Sequence, residues 1–291
     1  MSIVELNELT KYYKKTRGIK DITFSIEEGE VFGFIGPNGA GKSTTIRTLL
    51  NFIYPTSGSA TIFGKDVVKH SKDIRRDIGY LPSEVNYYDD MRVMDLLVYS
   101  EKFYKKSNKP RLQILAERLD LDLTRNIEDL SFGNRKKVGI VQALFHEPRL
   151  LILDEPTGGL DPLMQNVFFE LITEERKKGS TIFFSSHILS EVQRMCDRVA
   201  IIKDGELIQV ESIENLIKNN FKTVILTFNE PTEANIDLAG IVQQEAEGDQ
   251  IRLLYSGNIR ELLNCLQQLP LQDIRIEEPS LEEVFMHHYE K

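Results

Sequence analysis

The segment Val31-Phe32-Gly33-Phe34-Ile35-Gly36-Pro37-Asn38-Gly39-Ala40-Gly41-Lys42-Ser43-Thr44 passes from a short apolar run through a glycine-rich loop into a helical pattern that places Ile46, Leu49 and Leu50 on one face. Five apolar residues in a row are typical of a strand buried on both faces of a parallel sheet. Gly36 to Thr44 fits G-x-x-x-x-G-K-[ST] in the context that pattern requires, between strand and helix. The glycines let the backbone curl with its N–H groups inward, and the new helix adds a positive dipole end, so phosphate oxygens meet preorganised donors. Gly36, Pro37, Asn38, Gly39, Ala40, Gly41, Lys42, Ser43 and Thr44 are therefore the expected phosphate cradle of a nucleoside triphosphate. Lys42 is expected to reach the β- and γ-phosphates, and Ser43 to offer its hydroxyl to Mg²⁺, which keeps most of its waters and takes few protein ligands.

Outward from this loop, strand-like runs recur at residues 3–9, 22–26, 59–63, 150–153, 181–185 and 199–203. Their alternation with helical patterns in the later part predicts an α/β domain with a largely parallel sheet, while the first 30 residues read as antiparallel. Between residues 86 and 147 the pattern turns helical, with 91–104 and 110–119 the clearest segments, which predicts an inserted helical subdomain. Asp204-Gly205 is a hairpin signal leading into 206–210, and a helix is expected from Ser212. After about Asn220 the character shifts to a small α+β region with strands at 223–228, 251–255 and 274–276 and a helix at 259–266. A last helix is expected to open at Pro279-Ser280, with Glu282 and Glu283 in its first turn.

A second constellation lies at Leu150-Leu151-Ile152-Leu153-Asp154-Glu155-Pro156, a buried strand ending in two carboxylates at the edge where open α/β sheets place ligand groups. Asp154 is expected to position Mg²⁺ and Glu155 to polarise the water that attacks the γ-phosphate in line. The pair points to nucleotide hydrolysis rather than binding alone. His187, after the apolar run 181–186, is expected to hydrogen-bond the γ-phosphate or orient the water. Leu130-Ser131-Phe132-Gly133-Asn134 precedes a helix expected at 135–145 and reads as a second anion-binding helix terminus, with the Ser131 hydroxyl and the Gly133 backbone as donors.

A net charge of −9 and a pI near 5.3 argue against a nonspecific nucleic-acid binder, which needs a cationic footprint. Cys196 and Cys265 are the only two cysteines, far apart and without metal-ligand spacing, as expected of reduced, packed thiols. No signal stretch and no apolar run approaching the ~20 residues of a membrane span is present, so a membrane role is expected to come through a partner.

Taken together, these motifs resemble the ATP-binding subunit of an ABC transporter over about residues 3–219. The fold this implies is an α/β P-loop ATPase of the ABC type spanning 1–220, with an antiparallel β subdomain and the helical insert at about 86–147, followed by a small α+β accessory domain at 221–291. The resemblance implies that Ser131 to Asn134 is the family signature and faces ATP held by the phosphate loop of another subunit, so that two copies sandwich two ATP molecules. It implies further that Leu160-Asp161 belongs to the loop crossing this interface, and that Tyr13, in Lys11-Tyr12-Tyr13, stacks on adenine. The accessory region, with its Glu278-Pro279-Ser280-Leu281-Glu282-Glu283-Val284-Phe285, is similar to that of bacterial exporters whose ATPase and permease are separate chains. The implied function is ATP-driven dimer closure, in a homodimer or pseudo-dimer, powering an integral-membrane permease from the cytoplasmic face of the membrane. Tyr87, Tyr88 and Met91 of the insert are the expected contacts to that permease. Two motifs depart from the family pattern: Phe132 and Asn134 stand where Leu-Ser-Gly-Gly-Gln has glycine and glutamine, and Ser83-Glu84 follows Tyr80-Leu81-Pro82 where a glutamine is usual. A soluble ABC ATPase, or a nucleotide-dependent regulatory module without transport, is the alternative. The span from Ser43 to Leu130 leaves no room for the long coiled coil of chromosome ATPases.

Overall fold

Two long strands, β1 (Ser2–Tyr13) and β2 (Thr16–Glu27), pair antiparallel, with Leu6 opposite Phe24 and Tyr12 opposite Arg17. The computed structural model describes residues 1–14, 16–88, 90–104, 108–218, 221–231 and 235–279. Alternation buries Val4 and Leu6 on one strand and Ile22, Phe24 and Ile26 on the other. β3 (Val31–Ile35) is buried at every position, as its unbroken apolar run requires, and delivers the chain to α1 (Lys42–Leu49). β4 (Ser57–Ile62) and β5 (Lys65–Asp66) complete the antiparallel sheet in the order β2-β1-β4-β5.

A short helix, α2 (Ser71–Arg75), leads to β6 (Ile78–Leu81), a four-residue strand absent from the sequence reading. Gly79 lies so close to the following layer that a Cβ there would be 2.1 Å from the Ala143 carbonyl oxygen. The insert contains α3 (Val93–Glu101), α4 (Lys109–Arg118) and α5 (Phe132–Leu144). Asn108 caps α4 by accepting from the Arg111 N–H, and Pro110 sits in the first turn. α5 starts three residues earlier than expected because Ser131 is its N-cap.

After α5 come β7 (Leu150–Asp154), α6 (Pro162–Lys177), β8 (Thr181–Ser186), α7 (Leu189–Met195), β9 (Arg198–Lys203) and β10 (Glu206–Ser212). The six-stranded sheet runs β10-β9-β3-β8-β7-β6, with parallel pairing from β9 through β6. Between the two sheets Phe24 stacks on Phe32 at 5.1 Å and meets Phe34 and Phe183 at 5.6 and 5.9 Å, pairs worth about 0.5–1.5 kcal/mol each beyond area burial. The register sets Ile35 beside Ser186, Asp154 beside Ser185 and Leu81 beside Leu153. The loops that follow β3, β6, β7 and β8 therefore emerge side by side at one carboxyl edge.

The chain divides into two compact units, Met1–Val210 and Glu211–Lys291, so that α8 (Ile213–Lys218), which the sequence reading gives to the first domain, falls in the second unit. There β11 (Lys222–Phe228), β12 (Ile241–Glu247), β13 (Gln250–Tyr255) and β14 (Leu271–Glu277) form an antiparallel sheet in the order β12-β13-β11-β14. α9 (Ile259–Leu266), capped by Asn258, buries Leu262 and Leu266 in one cluster with Val224, Leu226, Ile251 and Leu253. The helix expected from Ser280 lies outside the described residues. Among the described residues no helix is long and apolar enough to cross a membrane.

Candidate active site

The loop after β3 is held from behind by the turn between β9 and β10. The Gly205 N–H donates to the Ala40 carbonyl at 2.9 Å, and its own carbonyl accepts from Lys20 N–H at 2.7 Å. Gly36 approaches β9 so closely that a Cβ would lie 2.3 Å from the Ile202 carbonyl oxygen. Gly41, the N-cap of α1, takes φ 113°, open only to glycine at low strain. Lys42 then turns back along the loop: its ammonium donates to the Gly36 and Pro37 carbonyls at 2.7 and 3.2 Å and is 5 % exposed. In front lies a cavity of about 350 Å³ walled by Asn38, Gly39, Gly41, Lys42, Ser43 and Thr44, by Ser83 and Glu155, and by Tyr13, Arg17 and Gly18.

Arg17 and Gly18 are site residues the sequence reading missed. The usable signal was the β1–β2 hairpin, whose register pairs Tyr12 with Arg17 and so brings Arg17-Gly18 to the wall that carries Tyr13. Gly18 leaves that wall open, since a Cβ there would be 3.0 Å from the Tyr13 ring and 3.2 Å from Thr44.

The two carboxylates after β7 have different surroundings. Asp154 is 1 % exposed; its Oδ1 accepts from the Ser185 hydroxyl at 2.6 Å, while Oδ2 is buried with no hydrogen-bond partner among the described residues. Glu155 follows at φ 47°, a left-handed backbone that sends its side chain another way. Its Oε1 is 3.1 Å from the Lys42 ammonium and its Oε2 is 2.5 Å from Nδ1 of His187. Lys42 at the start of α1 and His187 just after β8 thus meet on the carboxylate that follows β7. Among the described residues there is no cluster of three or more His, Cys, Asp or Glu side chains suited to a metal.

Ser131, Gly133 and Asp161 are not walls of this cavity. Ser131 Oγ accepts from Asn134 N–H at 3.3 Å and caps α5, and Asp161 Oδ1 accepts from Met164 N–H at 2.9 Å and caps α6. The two caps are linked through Gly159. A Cβ on Gly133 would lie 2.6 Å from the Gly159 carbonyl oxygen, and a Cβ on Gly159 would lie 2.3 Å from the Phe132 ring. Phe132 thus occupies the room that a glycine at 159 leaves, and its ring is 54 % exposed.

Five positions into α5, Lys136 is fully buried. Its ammonium donates to three carbonyls, those of Pro82 and Ser83 at 2.9 Å and Glu155 at 3.0 Å. Burial lowers its pKa to about 8, against the upward pull of the Asp154 and Glu155 carboxylates.

Residues 19–158 match the ABC transporter family. The bacitracin transport ATP-binding protein BcrA of Bacillus licheniformis is 33 % identical over 279 residues, which cover 95 % of this chain and 90 % of that protein. The chain belongs to the ABC transporter ATP-binding proteins. A solved ATP-binding subunit of an ABC transporter matches 74 % of this ABC protein and 92 % of its own chain at 31 % identity, with a TM-score of 0.70. A bacterial ABC transporter cassette solved as a dimer matches 72 % of the chain and 98 % of its own at 24 % identity, TM-score 0.66, a likeness of fold. The ABC family supplies the nucleotide, ATP, and the activity: this is the ATP-binding and hydrolysing subunit that powers an ABC transporter. ABC ATPases of this kind form dimers and associate with membrane subunits.

Proposed function

We propose that this subunit drives an export system through ATP-dependent closure of a dimer, with each ATP held between the loop Gly36–Thr44 of one copy and Ser131–Gly133 of the other. The observation that carries the reading is the division of the site residues. Lys42, Asp154, Glu155 and His187 converge at one sheet edge, whereas Ser131 and Asp161 are exposed caps of α5 and α6, with half-buried Gly133 beside Ser131, and none of the three lines the cavity. The partner cassette is a second copy or a close relative.

Within this reading Lys42 binds the β- and γ-phosphates, Tyr13 stacks on adenine, and the N–H groups from Gly36 to Thr44 cradle the phosphates. Mg²⁺ fits the donor set, since the buried Oδ2 of Asp154 lacks a partner among the described residues and Ser43 lines the cavity. Bound there, the ion would neutralise charge on the phosphates. Glu155 accepts the proton of the attacking water, and His187, hydrogen-bonded to Glu155, orients that carboxylate.

The membrane partner is an integral-membrane permease on a separate chain, which places this subunit on the cytoplasmic face. Its dock is a groove of about 590 Å³ whose walls include Phe52, Tyr80, Tyr87, Tyr88, Tyr99 and Phe103. Tyr87 and Tyr88 of the expected contacts line it; Met91 does not. The likeness of 95 % of the chain to a bacitracin transport ATP-binding protein favours bacitracin or a compound like it as the cargo. Purification from detergent-solubilised membranes of the producing cell is expected to yield a polytopic membrane protein in stoichiometric amount, with ATPase activity. Recovery of the chain without any membrane companion, from both membranes and cytosol, would refute the transport reading.

A further inference from the structure

The fully buried ammonium of Lys136 has no part in the roles described so far. Burying a cation is strongly unfavourable unless its donors are met, and an apolar side chain of the same length would fill the same volume. Here all three ammonium donors are used, and each goes to a backbone carbonyl rather than to a side chain. The carbonyls come from two loops of separate strands: Pro82 and Ser83 follow β6, and Glu155 follows β7. Ser83 and Glu155 both face the cavity in front of Lys42. The Glu155 carbonyl also accepts from Gly158 N–H at 3.4 Å, so the cation sits at the base of the turn that carries Glu155 in its left-handed conformation. One turn earlier, at its N-terminus, the same helix meets this segment again, where Phe132 and Gly133 press on Gly159.

We propose that Lys136 is a positioning residue for ATP hydrolysis, its ammonium pinning the carbonyls of Pro82, Ser83 and Glu155 into one cluster that fixes the two loops against the nucleotide. This rests on the assignment of Glu155 as the base. The cation touches neither phosphate nor water; it acts through the backbone of the residue whose side chain does. Its removal frees the Glu155 turn and the Ser83 loop to shift, and shifts near 1 Å at reacting groups cost about 100-fold in rate. Nucleotide affinity, set by Lys42 and the loop Gly36–Thr44, stays as it was.

The test uses the full-length chain with Lys136→Met, which keeps the unbranched stem and removes the donors, and Lys136→Gln, whose amide restores two of them. Turnover and KM for ATP, equilibrium binding of a fluorescent ATP analogue, and thermal melting are measured for each. Lys136→Met is expected to lower kcat about 10- to 100-fold with analogue binding within about threefold of wild type, and Lys136→Gln to recover a substantial part of the loss. Wild-type kcat in Lys136→Met overturns the proposal. So does parallel loss of binding and turnover with Gln no better than Met, because that pattern belongs to a residue needed only for packing. If Lys136→Met fails to fold, Lys136→Gln is decisive alone: reduced kcat at unchanged binding supports the proposal, and wild-type kcat or failure to fold overturns it. A slow Lys136→Met protein beside a fully active Glu155→Gln protein would remove Glu155 as base while leaving the positioning role through the Ser83 loop. A slow Glu155→Gln protein beside a wild-type Lys136→Met protein removes Lys136 alone.

Discussion

The Glu155→Gln protein is expected to hydrolyse ATP roughly 10²- to 10⁴-fold more slowly than wild type, while binding ATP more tightly. Glutamine keeps the size and one hydrogen-bonding oxygen but cannot take a proton, so the loss falls on the chemical step. Tighter binding follows from the ion pair. Glu155 stands 3.1 Å from the Lys42 ammonium, so the phosphates and the carboxylate compete for one cation. Removing the negative charge ends the competition and also removes repulsion between the carboxylate and the γ-phosphate. The combined effect is an ATP-bound dimer that persists. Steady-state ATPase assays and size-exclusion chromatography with and without ATP measure both parts. A fully active Glu155→Gln protein would sink the assignment of the base.

The second large effect is expected from Lys42→Ala. Lys42 is almost fully buried, and its charge meets the Gly36 and Pro37 carbonyls and Glu155 at once. Hydrogen bonds to charged groups contribute about 1.5–3 kcal/mol each, so losing one such contact to phosphate weakens ATP binding roughly 10- to 100-fold. Turnover falls further, because the ammonium no longer neutralises charge as the γ-phosphate departs. Titration with a fluorescent ATP analogue reads the first effect and phosphate release at saturating ATP the second. Unchanged affinity in a folded Lys42→Ala protein would exclude Lys42 from the phosphate site. Comparison with Glu155→Gln is informative in sign, since the two substitutions break the same ion pair yet move affinity in opposite directions.

What was legible in the sequence was what depends on local pattern. The strand Val31–Ile35, the loop behind it and the carboxylates after β7 each announce themselves within a dozen residues, because burial on both faces and phosphate binding constrain adjacent positions. β6 escaped notice, since its pairing to β7 is stabilised by the neighbouring strand and by the close approach of Gly79 to Ala143, neither of which leaves a local trace. Arg17 and Gly18 are placed by hairpin register, a relation between strands. Ser131 and Asp161 read as ligand groups and are found capping α5 and α6, a role that short polar side chains at helix starts combine with other duties. Lys136 was the least visible. Nothing in Arg135-Lys136-Lys137 singles out one of three consecutive cations, and only the three-dimensional arrangement reveals that Lys136 points inward at three carbonyls.

The fit of the Phe132 ring over Gly159 has a consequence for how the sequence can evolve. A single added carbon at 159 would fall 2.3 Å from the ring on a backbone at φ 82°, so a side chain there meets both the phenylalanine and the strain of a left-handed conformation. Shrinking position 132 meets no such barrier. It lifts only the clash, however: at φ 82° the backbone at 159 still favours glycine, so Gly159 is held by its own conformation even in a lineage that loses Phe132.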